Sequence, residues 1–158
     1  MRLTRFTDYS LRALMYLCVR DGENSSIAEI ARAYAISEHH LTKVIHRLGQ
    51  LGLVQTTRGR NGGLRLRCPP EEIGLGQVVR QTEEDLALAE CFGKGCCVIT
   101  GVCELQCVLH EALQSFLQVL DRYTLADLVR PRAAALADRL DLHPGEAAEP
   151  MRPQLPVN

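Results

Sequence analysis

The sequence predicts a mainly α-helical fold with one small β-hairpin. Three observations carry this. Two amphipathic helical segments, about 27–34 and 38–51, are separated only by Ala35-Ile36-Ser37, the compact joint of a helix-turn-helix. Two alternating segments flank Gly59-Arg60-Asn61-Gly62-Gly63, the pattern of a hairpin. A single apolar stripe then runs along residues 103–123, too long to be covered by so small a domain. Together they read as a winged helix-turn-helix followed by a long dimerisation helix.

Each element has its own local signal. Thr7 is a plausible cap for a first helix over 8–20, in which Leu11, Leu14, Met15 and Cys18 follow the spacing of one buried face. Asp21-Gly22 ends it. Ser26 and Glu29 form a capping box that opens the second helix, and Ser37 caps the third. In the third helix Leu41, Val44, Ile45 and Leu48 share the core side. His39, Lys43, His46 and Gln50 lie opposite, with His40, Thr42 and Arg47 on the flanks. Gly52 ends this helix. The hairpin is centred on Asn61-Gly62, whose two positions both need positive φ, and its tip carries Arg58, Arg60 and Asn61.

Pro69-Pro70 marks the end of this module. A short helix over 75–82 turns Val78 and Val79 inward, and a cysteine-bearing loop covers about 84–102. The long helix carries Leu105, Val108, Leu109, Ala112, Phe116, Val119, Leu120 and Tyr123, and the expected cover is the same helix of a second copy. Pro131 to Leu142 reads as an Ala-rich helix and the remainder as a disordered tail. The expected organisation is a DNA-binding domain over 1–68, a linker helix and cysteine loop over 69–102, a dimerisation region over 103–130 and a tail over 131–158.

The net charge of −1 conceals an asymmetry. Residues 1–67 carry 11 Lys/Arg against 5 acids, and the rest carry 7 against 14, so +6 and −7 give the net −1. A basic first half suits a polyanion, because its cations displace counterions from phosphate. The third helix would enter the major groove of double-stranded DNA with Lys43, Thr42 and the histidines, while Arg58 and Arg60 would reach backbone or minor groove. The N-terminal segment lacks a secretory apolar region, and no apolar run approaches the roughly 18 residues that span a membrane. The reading is therefore a cytoplasmic protein, where 7 cysteines stay mostly reduced. No constellation of nucleophile, base and pocket points to an enzyme. An electron-transfer protein would leave the basic winged helix unexplained.

The cysteines divide into two groups. Cys18, Cys68 and Cys107 are assigned to apolar helix faces and read as packing residues. Cys91, Cys97 and Cys103 are evenly spaced, with five residues in each interval, among glycines and polar residues. Zinc sites show tighter pairs, whereas an iron–sulfur cluster takes separate thiolates on separate irons and suits wider spacing. Zinc remains the alternative. Cys96 is an alternative to Cys97 as second ligand. Three thiolates leave one coordination place, for which Asp8, Glu104 and His110 are candidates.

Several of these pieces occur together in one known family. The segments L-T-R-F-T-D-Y-S-L-R-A-L, H-L-T-K-V-I-H-R-L, R-G-R-N-G-G-L-R-L and S-F-L-Q-V-L-D-R-Y-T-L-A-D-L, with the three cysteines, span residues 1 to about 129. The chain resembles the iron–sulfur winged-helix repressors of bacteria, most of all the nitric-oxide-sensing NsrR type, relatives of the cluster-assembly regulator IscR. The resemblance implies a homodimer on an inverted-repeat operator. It implies a cluster, of the 4Fe–4S kind, held by Cys91, Cys97 and Cys103, and DNA binding that is lost when nitric oxide attacks it. In the cluster-assembly branch a histidine stands three residues after the third cysteine; here that residue is Gln106. In the nitric-oxide branch an acidic residue early in helix 1 of the partner subunit completes the site, and Asp8 holds that position. Cys96 and the residues after Val129 depart from the family's pattern.

Overall fold

The computed structural model describes residues 2–59, 62–89, 92, 98–99 and 102–142. Helix α1 (Arg5–Val19) leads into α2 (Ile27–Tyr34) and α3 (Glu38–Gln50), and strands β1 (Val54–Thr57) and β2 (Gly63–Leu66) form an antiparallel hairpin. Then come α4 (Leu75–Thr82), the long α5 (Glu104–Asp121), the short α6 (Leu125–Val129) and α7 (Ala133–Arg139). The fold is the expected mainly α architecture with a two-stranded wing.

Local signals set most boundaries. The Ser26–Glu29 capping box forms in full, with the Glu29 carboxylate accepting from the Ser26 N–H at 2.6 Å. Ser37 Oγ accepts from the His40 N–H at 3.3 Å and starts α3 where the sequence placed it. The end of α3 is a Schellman turn. The Leu53 N–H reaches Leu48 O, the Gly52 N–H reaches Gly49 O, and Gly52 takes φ +75°.

Two expectations are corrected. The first helix begins earlier: Thr4, not Thr7, is its cap, accepting from the Thr7 N–H at 3.3 Å. Thr7 lies inside the helix and is fully buried. The covered face is centred on Thr7, Ser10, Ala13, Leu14 and Leu17, so Leu11, Met15 and Cys18 flank it rather than form it. The hairpin turn also differs. Thr57 pairs with Gly63, which leaves the five residues 58–62 in the connection instead of a two-residue turn. A positive φ falls on Gly59, at +111°. A Cβ on Gly62 would overlap the Thr57 carbonyl, so the turn's constraint at that position is space.

The main core joins α1, α2, α3 and the hairpin, and the chain returns to it after α5. Leu125, Val129 and Leu140 are buried in the same cluster as Leu14, Leu41 and Leu48. A second cluster, Val79 with Leu113 and Leu117, fixes α4 to α5. Its partly buried neighbours include Leu3 ahead of α1 and Leu11 within it, Leu88 and Phe92 from the cysteine loop, and Phe116 and Leu120. Leu14 has no exposed surface. Leu14→Ala is expected to destabilise the chain by about 2–5 kcal/mol, through reduced burial and the cavity left behind, in urea denaturation. A loss under about 1 kcal/mol would mean that α1 is not packed as described.

Candidate nucleic-acid interface and metal centre

Helix α3 separates its residues as its period requires. Leu41, Val44, Ile45 and Leu48 are buried, and His39, His40, Thr42, Lys43, His46, Arg47 and Gln50 are exposed. One exposed face therefore offers Lys43, three imidazoles and a threonine. The Thr42 hydroxyl donates to Glu38 O at 2.8 Å, which leaves its oxygen to accept and its methyl outward. The His40 ring stands 6.1 Å from His39 and 6.3 Å from Tyr9 of α1. Arg47 differs from the others, because its Nη2 donates to Gln81 O of α4 at 3.3 Å.

The structure adds residues that sequence reasoning missed. Arg5 and Tyr9 of α1 join His40 and Lys43 around a cavity of about 250 Å³. On the wing, Arg65 stands opposite Gln55 across the hairpin. With the Gln55 amide turned to present its oxygen, Arg65 donates to it from Nη2 at 2.8 Å. The alternation of β2 held the signal for Arg65, since Leu64 is buried and its neighbour is not. Arg58 is exposed at the start of the turn, and Arg60 and Asn61 lie outside the described residues.

Neutralising Arg58 and Arg60 together is expected to weaken DNA binding for all sequences. It is also expected to flatten the salt dependence by about one unit of slope for each phosphate left without its cation. An unchanged slope in a salt titration would place the wing away from the backbone.

The thiols also separate. Cys18 and Cys68 sit half-buried against the core. Burial pushes both thiols up, which keeps them protonated and disfavours metal binding. Both behave as packing residues. Cys107 does not: it is exposed on α5, one turn after Cys103, beside Phe92 and His110. The packing expectation for Cys107 is corrected, because its side of α5 is turned away from Leu113 and Leu117.

Cys103 occupies the cap position of α5, half-buried, and makes no side-chain capping bond. Its sulfur is thus uncommitted at the point where the loop becomes helix, and a soft thiolate there suits iron. Cys91, Cys96 and Cys97 lie outside the described residues. Among the described residues no three His, Cys, Asp or Glu side chains converge as a metal site.

Asp8 lies in the first turn of α1, and its Oδ1 accepts from Arg12 Nε at 3.0 Å. Both side chains are close to half exposed, so solvent screens the pair and the carboxylate is cheaply released. Glu104 is exposed in the first turn of α5, and His110 stacks on Phe92 at 6.2 Å between ring centres. Of the two, His110 is the one placed beside the loop residue Phe92.

Helix α5 has two apolar faces. Leu113 and Leu117 are buried against α4, and Phe116 and Leu120 lean on them. Leu105 is 61 % exposed, Val108 59 %, Val119 44 % and Tyr123 48 %. Ala112 is exposed as well, and Leu109 is half-buried. Among the described residues no helix is long and apolar enough to cross a membrane.

Comparison with known proteins gives one consistent result. Residues 3–131 match the family described as Rrf2, iron-dependent transcriptional regulator. The HTH-type transcriptional regulator NsrR of Bacillus subtilis (strain 168) is 57% identical over 133 residues, spanning 82% of this chain and 91% of that protein. Its namesake from Geobacillus kaustophilus (strain HTA426) is 54% identical over 137 residues, spanning 85% and 93%. Among solved structures, T. potens IscR superposes with a TM-score of 0.70 at 27% identity, covering 85% of this chain and 90% of that one. CymR, the global cysteine regulator of B. subtilis, gives 0.68 at 26% identity, covering 83% and 98%. The two NsrR relatives are named as transcriptional regulators and CymR as a regulator, none of them as an enzyme. The chain is a transcriptional regulator of the winged-helix type and belongs to the Rrf2 family of iron-dependent transcriptional regulators.

Proposed function

We propose that this chain is a homodimeric transcriptional repressor of the cytoplasm whose operator binding is controlled by a nitric-oxide-sensitive iron–sulfur cluster of the 4Fe–4S kind. The carrying observation is the cysteine loop: Cys91, Cys97 and Cys103 lie between the helix packed on the DNA-reading module and the helix with an uncovered apolar face, and Cys103 caps the latter with a free thiol. The NsrR name of relatives at 57% and 54% identity supports the same reading. Cys91, Cys97 and Cys103 would supply three thiolates, and the partner's Asp8 the fourth ligand. When bound, the cluster supplies iron that nitric oxide can attack.

Every other step belongs to the chain's own residues. His39, His40, Thr42, Lys43 and Arg47 of α3 would read one half-site of an inverted repeat, with Arg58, Arg60 and Asn61 of the wing on the flanking DNA. Two copies of α3 must stand about one turn of DNA apart, roughly 34–36 Å. The apolar face of α5, from Leu105 through Val108, Leu109, Ala112, Phe116, Val119 and Leu120 to Tyr123, would hold the two copies at that spacing. Asp8 of one copy would help hold the cluster in the loop of the other and so tie α1 to that loop, and its release would let the reading head shift. An effector can move this balance only by its different affinity for the two arrangements.

Anaerobic purification followed by iron and sulfide counts and an absorbance spectrum tests the proposal. The expected result is about four irons and four sulfides per chain, with the absorbance changed by nitric oxide. Zinc in place of iron, or two irons per chain, would replace the proposal by a zinc-containing or 2Fe–2S regulator. Asp8→Ala is expected to keep the cluster but alter its spectrum or its stability to oxygen; an unchanged centre would leave Asp8 as a helix-start residue.

A further inference from the structure

Of the four consecutive residues 80–83 at the end of α4, three are held by different parts of the molecule. Arg80 grips Asp121, the last residue of α5, through two bonds of 2.6 and 2.8 Å. Gln81 O accepts from Arg47 Nη2 of α3. Thr82 is buried and donates to Val78 O at 2.8 Å. The Glu83 carboxylate accepts from the Thr4 N–H at 2.8 Å and from the Thr4 hydroxyl at 3.1 Å. Thr4 caps α1, and its carbonyl in turn accepts from the N–H of Asp8 at 3.0 Å. The next residue, Glu84, begins the cysteine loop.

We propose that this last turn of α4 is the joint through which the cysteine loop sets the position of α3, with Glu83 and Arg47 as its positioning residues. The inference rests on the cluster-controlled reading above and names the parts that would carry it. Its logic is one of unequal attachment. Toward α5, α4 is fixed by the two-bond ion pair and by Val79 packed on Leu113 and Leu117. The ion pair lies directly over Gly76, where a Cβ would strike the Asp121 carboxylate. Toward the reading head Val78 packs in the main core and Leu11 of α1 leans on the Val79 cluster, while the polar links at the loop end are a single exposed hydrogen bond of 3.3 Å to α3 and the Glu83 clamp to α1. A pull from residue 84 therefore bears first on these two polar links, which lie nearest the loop, before it reaches the packed side chains.

That side also has room to move. A cavity of about 560 Å³ is lined by residues 81–84 together with Thr4, Phe6, Lys43 and Arg47. Among the described residues Gln81 Oε1 is buried without a partner, so this arrangement leaves the joint incompletely satisfied. A carboxylate at the start of α1 is stabilised by the helix dipole, which gives the clamp a reason to form. Glu83 and Asp8 thus bracket Thr4: a change of the loop that moves one shifts the helix turn that carries the other.

The test compares operator affinity of the full chain with and without its cluster. Wild type is expected to show a ratio of at least about tenfold. Glu83→Ala should narrow it to about threefold or less with cluster absorbance retained, whereas Glu83→Gln, which keeps an acceptor for Thr4, should stay near wild type. Arg47→Met separates two roles. A residue that only touches phosphate would lower both affinities equally and preserve the ratio; a joint residue narrows it. In cluster-free protein, Glu83→Ala should also speed hydrogen exchange at the Thr7 and Asp8 amides, a readout that holds even if the variant cannot take up its cluster. A wild-type ratio in both Glu83→Ala and Arg47→Met, with unchanged exchange, overturns the joint. A ratio of one in the wild type removes the cluster-controlled reading itself, and the joint with it.

Discussion

Replacing Cys103 by alanine is expected to abolish the cluster and to leave operator affinity at the cluster-free level, at least about tenfold below the loaded protein, or about 1.4 kcal/mol. The reason is positional. Cys103 is the described cysteine of the three, and it stands at the cap of α5 with its sulfur unclaimed by the helix. Removing one of three thiolates leaves a cluster with too few soft ligands to be retained. The fold should survive, because Cys103 is only half-buried and makes no capping bond that alanine would remove. Cys91→Ala and Cys97→Ala are expected to behave alike, and Cys18→Ala and Cys68→Ala to keep the cluster at a modest cost in packing. Iron counts and anisotropy on one operator fragment check all five. Normal iron content in Cys103→Ala would remove this residue from the ligand set.

The second large effect concerns the dimer. Val108→Asp combined with Val119→Asp is expected to give a folded monomer that binds a palindromic operator poorly. Both side chains are exposed in the protomer, and each would bury its apolar surface against the second copy. A fully buried side chain of this kind contributes roughly 1.5–3 kcal/mol, and a charge placed there adds a desolvation cost. Phe116 and Leu120 make a poorer test, since both also lean on Val79, Leu113 and Leu117 within the protomer. Sedimentation should find the monomer, and circular dichroism should find the helices intact. An unchanged dimer would place the interface on another face.

Much of this architecture was legible because its signals are local. The bounds of α2 follow from the Ser26–Glu29 box, and those of α4 from a short amphipathic run after Pro69-Pro70. The division of α3 into a buried and an exposed face follows from its period alone. What escaped depends on contacts distant in sequence. Thr4 outcompetes Thr7 as cap of α1 where Glu83, 79 positions away, grips it. Leu113 and Leu117 are part of the apolar pattern of α5, yet only the position of α4 tells that they belong to the protomer and Val108 to the uncovered face. Helix α6 carried a readable capping box at Thr124 and Asp127, but five residues are too few for periodicity to reveal. Arg47 has the right charge and place for phosphate, and no sequence pattern announces that Gln81 O takes one of its donors.

The candidate site was legible in a different way. The even spacing of Cys91, Cys97 and Cys103 suggested a metal, whereas Asp8 gained its weight only through family resemblance. Its ion pair with Arg12 would by itself describe an ordinary helix surface.

The most direct test of cluster control is one operator titrated in one buffer with three forms of the same preparation: cluster-loaded, cluster-free, and loaded protein exposed to nitric oxide. Salt must be held constant, because phosphate contacts alone shift affinity steeply with ionic strength. The expected result is tight binding by the loaded dimer and at least about tenfold weaker binding by the other two. Equal affinity for all three would contradict the account, whatever the spectrum of the cluster.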